Sequence, residues 1–387
     1  MLRIKIKFQD RNANLPLSGY AAYISLKFFL FFKPYTHLLE RIETLSLKNE
    51  IKQVRIEKPI YITGLARAGT TILLEMLSKH PDLASHQYKH LLLPYIPYWI
   101  QKLTELIPIY SEPMERIHQD GIMVTQDSPE AVEEFFWRRY FKNIKKEKFS
   151  DILSEEVINP KFEEFYLNHI KKLILSQNSS RYLAKNNYNI TRMDYILRIF
   201  PSAKFLIIIR NPINHIASLK KQERLFDKLE QNIPILYDWM KILGHQEFSH
   251  NRICINVNNL EEIRKIRELW KFKSTHVKGW AHYWNSIYNY TANSLEANKN
   301  LKEAALIINY DELCDNPVEI IDRILEHCEL SFDKFIKIKE YYVNNLHKPD
   351  YYIPEFSEQE ITDIHSITKK TAARFGLKTK KQLIDLK

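Results

Sequence analysis

The sequence predicts an α/β protein in which a parallel sheet is flanked by helices, with further helices at the N-terminus and in an insertion. Three segments support this fold class. Residues 59–80 combine a short apolar strand, a loop with two glycines and a helix with a wide apolar face. In the segment 203–209, residues 205–209 are apolar without interruption, as expected for a central parallel strand buried on both faces. Residues 304–309 form another apolar strand, which precedes an amphipathic helix.

Length and composition limit the class of protein. The 387 residues are enough to bury an ample core in one large or two modest domains. A hydrophobic content of 45% with only 7 glycines excludes a disordered or collagen-like chain. The net charge of +10 suits an anionic ligand, but the basic residues are spread out, so we expect no nucleic-acid partner. Three cysteines without metal-ligand spacing favour a reducing cytoplasm over a disulfide framework or a zinc site.

Residues 1–58 are expected to form a helical segment ahead of the main domain. Residues 20–32 are strongly apolar, yet Lys27 interrupts them, and a transmembrane helix needs about 20 apolar residues. We therefore expect a helix that packs against a cytoplasmic domain. Peripheral membrane contact through residues 20–35 and a true membrane anchor stay open as alternatives. Residues 36–58 indicate an amphipathic helix followed by a polar linker.

The strand, loop and helix at residues 59–80 carry the strongest functional signal. Gly64 and Gly69 have the spacing of a phosphate-binding loop, in which backbone N–H groups at a helix N-terminus hold an anion, so the predicted sheet is P-loop-type. An ATP-binding loop would continue with a lysine, whereas two threonines follow Gly69 here. Arg67, inside the loop, offers a forked donor for an oxyanion in place of that lysine.

The segment from Arg67 to Pro81 resembles the 5′-phosphosulfate loop of sulfotransferases that use 3′-phosphoadenosine 5′-phosphosulfate (PAPS). The loop arginine, the Gly-Thr-Thr sequence and the final His-Pro match that pattern, whereas Ala66 and Ala68 replace its proline and serine. The resemblance implies that PAPS is the sulfuryl donor and that no metal is required. It also implies that the phosphosulfate is bound by Arg67, Ala68, Gly69, Thr70 and Thr71.

A second motif of the same family lies at the end of the central strand. Arg210 follows the apolar run, at the carboxyl end where open α/β sheets bind ligands, and Ser218 follows on a predicted helix. This arrangement resembles the 3′-phosphate motif, which implies that Arg210 and Ser218 hold the 3′-phosphate. Tyr310, after the strand at 304–309, begins a segment similar to the family's Tyr-Glu-Asp-Leu sequence. That similarity implies nucleotide contact, with a structural role at the strand end as the alternative.

Lys185 ends a short predicted strand at residues 181–185 and matches the lysine of the family's Lys-Thr-His segment. The resemblance implies that Lys185 and Arg67 stabilise the sulfuryl oxygens during transfer; a surface lysine is the alternative. Asn187 stands at the histidine of that segment, and Gln87 stands where tyrosylprotein sulfotransferases have a glutamate. Neither side chain can take a proton at neutral pH, so both family bases are missing.

Two other residues are candidates for the general base. His86 lies in the loop after the first helix, and histidine is the side chain most easily poised near neutral pH. Glu134 lies on a helix that the sequence places after an Asp127 cap, from which it could face the donor. The alternatives are a hydrogen-bonding loop histidine and an exposed ion pair between Glu134 and Arg138.

The predicted domain spans residues 59–376, with a helical insertion at 222–300 that forms the acceptor side and a basic tail at 377–387. The acceptor pocket or the core would take up the aromatic and histidine side chains of this insertion, namely Trp239, His245, His250, Trp270, Trp280, His282 and Trp284. We expect transfer of a sulfuryl group to a hydroxyl or amine of a small molecule, glycan or lipid. A non-catalytic nucleotide-binding protein on the same fold and a P-loop nucleotide kinase stay open as alternatives.

Overall fold

A computed structural model describes residues 23–24, 27, 33–107, 112–248, 252–348 and 354–377. Most of the apolar segment 20–32, His250 and the tail beyond residue 377 lie outside these ranges. Peripheral membrane contact through residues 20–35 therefore stays a prediction. No helix within the described ranges is both long and apolar enough to cross a lipid bilayer.

The strands form one central parallel sheet and one small hairpin. They are β1 (Ile60–Thr63), β2 (Leu83–Ala84), β3 (Met114–Glu115), β4 (Met123–Val124), β5 (Arg181–Lys185), β6 (Lys204–Ile209) and β7 (Ala305–Asn309). The sheet has five strands in the order β2-β5-β1-β6-β7, and β3 pairs with β4 in the antiparallel hairpin. Because β1 pairs with β5 on one side and β6 on the other, the connections diverge from β1. Such a divergence opens a crevice at the carboxyl ends of the strands.

The two central strands are buried on both faces. Side chains alternate along a strand, so Tyr61, Phe205 and Ile207 pack into one core while Ile62 and Leu206 pack into the other. All five are completely buried. This explains why the apolar run of β6 has no polar interruption, and it confirms the predicted central parallel strand.

Helices cover both faces of the sheet. Their bounds are α1 (Lys33–Ser46), α2 (Lys48–Gln53), α3 (Thr70–Leu77), α4 (Pro97–Leu106), α5 (Glu134–Tyr140), α6 (Pro160–Ser176), α7 (Met193–Ile199), α8 (Pro212–Asn232), α9 (Pro234–Leu243), α10 (Leu260–Lys271), α11 (His276–Ala297), α12 (Lys299–Ala304), α13 (Tyr310–Asp315), α14 (Pro317–Cys328), α15 (Ile336–Asn345) and α16 (Glu358–Arg374). Helices α3 and α14 pack on one face, and α5, α6 and α11 pack on the other. The predicted α/β class with a helical insertion between β6 and β7 is confirmed.

One predicted helix start is wrong. Helix α5 begins at Glu134, whereas the sequence had suggested an Asp127 cap. Asp127 instead pairs with Lys89 at 2.8 Å. The backbone here bonds to the loop after β2, because the Glu130 amide donates to the carbonyl of His86 at 2.8 Å. These bonds satisfy backbone groups that a helical turn would otherwise have to satisfy.

Candidate functional site

The loop between β1 and α3, which we call the glycine loop (residues 64–69), lies at the carboxyl edge of the sheet. Gly69 has φ of 111° and stands directly before α3. A Cβ atom on Gly69 would lie 2.3 Å from Cδ2 of Tyr310, so only glycine fits between the loop and that ring. Tyr310 begins α13 immediately after β7. The structure therefore brings the predicted Tyr310 into contact with the loop.

Two buried side chains from other elements hold the glycine loop in place. His215 on α8 donates through Nε2 to the carbonyl of Ala66 at 2.8 Å. Burial lowers the pKa of His215 to about 3, so the ring is neutral at physiological pH. The hydroxyl of Tyr288 on α11 accepts from the Leu65 amide and donates to the Ile208 carbonyl, each at 3.2 Å. The loop conformation is thus fixed by the sheet, α8 and α11 together.

Arg67 links the glycine loop to the helix after β6. Its φ of 70° lies in the left-handed region, which is unusual for a non-glycine residue and recurs at functional sites. Its Nε donates to the hydroxyl of Ser218 at 3.4 Å, and its Nη1 donates to Asp120 at 2.7 Å. The two predicted phosphate motifs, which are far apart in sequence, therefore meet in space.

A second arginine stands beside the loop, carried by the β3-β4 hairpin. Arg116 donates through Nη1 to the hydroxyl of Thr71 at 3.2 Å and through Nε to Asp120 at 2.8 Å. Burial alone would raise the pKa of Asp120, but Arg116 and Arg67 hold it well below its usual range. Two guanidinium groups thus converge on Asp120, and the Thr71 hydroxyl lies beside one of them. Guanidinium groups placed in this way are suited to a multiply charged oxyanion.

Arg210 and Ser218 form the neighbouring part of the site. Arg210 follows β6 and is 5% exposed, with its guanidinium carbon 5.1 Å from the Tyr310 ring centroid and its Nε 3.9 Å from Oδ1 of Asp311. Ser218 is also buried, on α8. Because Tyr310 lies against both Gly69 and Arg210, these groups are close together at the carboxyl ends of β1, β6 and β7, where open α/β sheets bind ligands.

Lys185 and Asn187 lie on the other side of the glycine loop. The hydroxyl of Thr70 donates to Oδ1 of Asn187 at 3.3 Å, and Nδ2 of Asn187 donates to Oε1 of Glu247 at 3.0 Å. Burial lowers the pKa of Lys185, which the nearby carboxylates of Glu130 and Glu247 only partly offset. A cleft here is lined by Ala131, Glu134, Lys185, Asn186, Asn187, Tyr188, His245 and Glu247.

Glu134 lines this cleft, but it is held in a buried ion pair. Its two carboxylate oxygens accept from Arg192 at 2.9 and 3.1 Å, and Asn186 donates to it at 2.9 Å. Burial alone would raise its pKa, but Arg192 and Lys145 lower it to about 2. The exposed pair with Arg138 that the sequence suggested is not formed, since Arg138 binds the carbonyls of Lys241 and Ile242. This carboxylate is poorly suited to accept a proton.

His86 occupies a closed site among aromatic side chains. It is 3% exposed, its Nε2 lies 3.0 Å from Nε2 of His169, and Phe136 packs against it. Burial lowers the pKa of His86 to about 3. A histidine in this position has a packing role and lacks the access to solvent or substrate that a general base needs.

Most aromatic residues predicted for the acceptor pocket belong to the core. Trp280 and Trp284 are completely buried and Trp270 is 7% exposed, so packing explains them. His282 pairs with Glu262 at 2.8 Å. His245 is the predicted insertion residue that lines the cleft. Within the described ranges, no group of three or more His, Cys, Asp or Glu side chains is arranged to hold a metal ion.

The comparison with known families agrees with this geometry. Residues 59–234 match the model of the sulfotransferase family, a range that runs from β1 to the start of α9 and includes both arginine motifs. Among solved structures, sulfotransferase STF9 from Mycobacterium avium aligns with a TM-score of 0.50 at 12% identity, covering 87% of this chain and 82% of that chain. At this identity the likeness shows the sulfotransferase fold alone.

Two further proteins are similar to this chain. Sulfotransferase STF1 from Mycobacterium tuberculosis H37Rv aligns with a TM-score of 0.44 at 13% identity, covering 88% of this chain and 82% of that one. An uncharacterized protein of Aquifex aeolicus (strain VF5) is 22% identical over 286 residues. That alignment covers 74% of this chain but 27% of the relative, so the chain spans about a quarter of the relative's length.

Three polar residues of the candidate site were missed by the sequence reasoning. Arg116 and Asp120 lie in a polar stretch whose hairpin strands are only two residues long, which leaves no periodic signal. Glu247 lies just after α9, where nothing in the local sequence distinguishes it from a surface glutamate. Only the tertiary fold brings these side chains to the glycine loop.

Proposed function

We propose that this protein transfers a sulfuryl group from PAPS to a hydroxyl or amine of an acceptor molecule. One observation carries the proposal: the hydrogen bond between Arg67 and Ser218 joins the glycine loop to the helix after β6. These are the two places where a 3′,5′-phosphorylated adenosine needs binding groups. A ligand with phosphates at both positions would therefore contact both motifs at once.

The binding groups divide according to the two ends of the donor. The glycine-loop amides, Arg67 and the first hydroxyls of α3 would bind the 5′-phosphosulfate, since the N-terminus of a helix favours an anion. Arg116 would add a second guanidinium there through its position beside Thr71. Arg210 and Ser218 would bind the 3′-phosphate, and Tyr310 would contact the nucleotide.

Catalysis in this site would rest on positioning and charge stabilisation. An acceptor oxygen or nitrogen attacks sulfur in line with the bond that breaks, which is favoured when both reactants are held in that geometry. The ammonium group of Lys185 and the guanidinium of Arg67 would stabilise charge on the sulfuryl oxygens and the departing phosphate oxygen. Small molecules, glycans and lipids all offer suitable acceptor groups.

A non-catalytic nucleotide-binding protein is the second candidate. Asn187 and Gln87 replace the bases expected from the family resemblance, and the structure encloses His86 and Glu134 in buried contacts. A nucleotide kinase has less support, because Thr70 follows Gly69 where a kinase loop has lysine. Turnover distinguishes these candidates.

The test is incubation of the purified protein with PAPS labelled in the sulfuryl group, alone and with panels of phenols, sugars and amines. The proposal predicts labelled product or labelled sulfate together with adenosine 3′,5′-bisphosphate. Tight donor binding without any release of label above the protein-free control would favour the non-catalytic candidate. Transfer of phosphate from ATP with no consumption of PAPS would identify a kinase and contradict the proposal.

A further inference from the structure

We propose that Glu247 is the general base that takes the proton of the acceptor. This inference rests on the proposed sulfuryl transfer and deepens it by filling the missing role. Glu247 is half-buried and lines the same cleft as Lys185, Asn187 and His245. No sequence motif pointed to it.

A short chain of hydrogen bonds connects Glu247 to the glycine loop. Thr70, the first residue of α3, donates to Asn187, and Asn187 donates to Oε1 of Glu247 at 3.0 Å. No described residue donates a hydrogen bond to the other carboxylate oxygen, Oε2. Asn187 therefore orients the carboxylate, while one of its oxygens remains available to an acceptor in the cleft. An asparagine at the histidine position of the family would thus position a base instead of acting as one.

The other carboxylates at the site are more strongly engaged. Both oxygens of Glu134 are paired with Arg192. Glu130 accepts from the Ala131 amide at 2.6 Å, and burial together with this carboxylate raises the pKa of Tyr88. Asp120 accepts from both Arg67 and Arg116. A carboxylate bound to arginine is a weak proton acceptor, because protonation would give up the ion pair.

The segment that carries Glu247 is held firmly to the cleft. Gly244 ends α9 with φ of 78°, and the amide of His245 donates back to Met240 at 3.0 Å, as in a common helix C-terminal motif. Arg138 donates to two of the last carbonyls of α9, at 2.8 and 3.0 Å. The ammonium group of Lys145 binds the Gly244 carbonyl. A base fixed in this way needs little rearrangement to meet its substrate.

The step balances without a further reactant. As the acceptor oxygen or nitrogen forms its bond to sulfur, its proton moves to Oε2 of Glu247. The bond between sulfur and the bridging oxygen breaks, and its electron pair stays on the 5′-phosphate of adenosine 3′,5′-bisphosphate. The proton then passes from Glu247 to solvent. The titratable and charged groups that face Glu247 are Lys185, Lys145, His245, Glu134, Tyr188 and Tyr283.

Release of labelled sulfate from PAPS to water tests this role without knowledge of the natural acceptor. Glu247→Gln keeps the shape and the bond from Asn187 but removes the base, and a lost general base typically costs roughly 100- to 10,000-fold in rate. Glu247→Asp is expected to recover part of the rate. Glu261→Gln, an exposed glutamate on α10, is the matched control and should turn over like the wild type.

Two further measurements separate a base from a structural residue. Adenosine 3′,5′-bisphosphate should bind Glu247→Gln within about twofold of the wild type, since the base does not touch the donor. The acid limb of the wild-type pH-rate profile should be absent from Glu247→Gln and present in Glu247→Asp. Three results in Glu247→Gln would each overturn the role of Glu247. They are undiminished turnover, a loss of donor affinity as large as the loss of rate, and a pH-rate profile identical to that of the wild type. If the wild type neither binds nor consumes PAPS, the proposed function itself fails.

Discussion

The two halves of the candidate site are built in different ways. The donor half, meaning the glycine loop with Arg210, Ser218 and Tyr310, comes from residues at the ends of β1, β6 and β7. The cleft half, meaning Lys185, Asn187, Glu134 and Glu247, depends on side chains that β5, α5 and the segment after α9 bring together. Strand ends and helix starts leave short motifs in a sequence, whereas long-range side-chain contacts do not. The donor half could therefore be predicted, as could Lys185 and Asn187 at the end of β5, whereas Glu247 and the buried pairing of Glu134 could not.

Substitution of Glu134 is expected to have the largest effect on stability, and it tests whether this residue of the cleft half has a structural role. Glu134→Gln would leave the completely buried Arg192 without its countercharge. Breaking one partner of a buried ion pair costs about 3–5 kcal/mol in the free energy of unfolding. Urea denaturation at neutral pH measures this loss. Glu303→Gln, which removes an exposed pair with Lys299, is the control and should cost less than about 1 kcal/mol. Equal effects of the two substitutions would show that Glu134 has no structural role.

Substitution of His215 tests whether its hydrogen bond to the Ala66 carbonyl stabilises the donor half. Its folded pKa of about 3 lies below the ordinary 6.5, so its contribution to stability is complete above pH 6.5 and is lost as the pH falls toward 3. Between pH 6.5 and 5 the loss amounts to about 2 kcal/mol. His215→Gln can still donate to the Ala66 carbonyl but cannot titrate, so its unfolding free energy should fall less over this range. A loss identical to that of the wild type would contradict the assignment.

Gly69 tests the close contact between the glycine loop and Tyr310. Gly69→Ala places a Cβ against the ring and forces alanine into a left-handed conformation, at a cost of about 1–2 kcal/mol plus the displacement of the ring. We expect weaker binding of adenosine 3′,5′-bisphosphate, measured by calorimetry. Gly376 also has a positive φ, of 68°, but nothing lies within 4 Å of a Cβ added there, so the Gly376→Ala variant should bind the nucleotide normally. Equal affinities in both variants would argue against a tight loop.

The sequence predicted those features that depend on residues close together in the chain. The two-sided burial of β6 follows from its unbroken apolar run, and the glycine spacing placed the loop correctly between β1 and α3. It failed at α5, because the Asp-Ser-Pro-Glu stretch fits a helix cap but bonds instead to the backbone after β2. It also chose Glu134 from its place on a predicted helix and His86 from its residue type in a loop. Their burial, which depends on Arg192 and His169 from distant segments, carries no local signal.

The most direct test of the proposed function is a calorimetric comparison of adenosine 3′,5′-bisphosphate with ADP, in the wild type and in Arg210→Met. The two ligands carry the same number of phosphates and differ in whether the second occupies the 3′ position. We expect the wild type to prefer adenosine 3′,5′-bisphosphate. Arg210→Met should weaken the binding of adenosine 3′,5′-bisphosphate by about 10- to 100-fold, as expected for the loss of a charged hydrogen bond. The affinity for ADP should stay nearly unchanged. Equal affinity for both nucleotides, or a preference for ADP, would contradict PAPS as the donor.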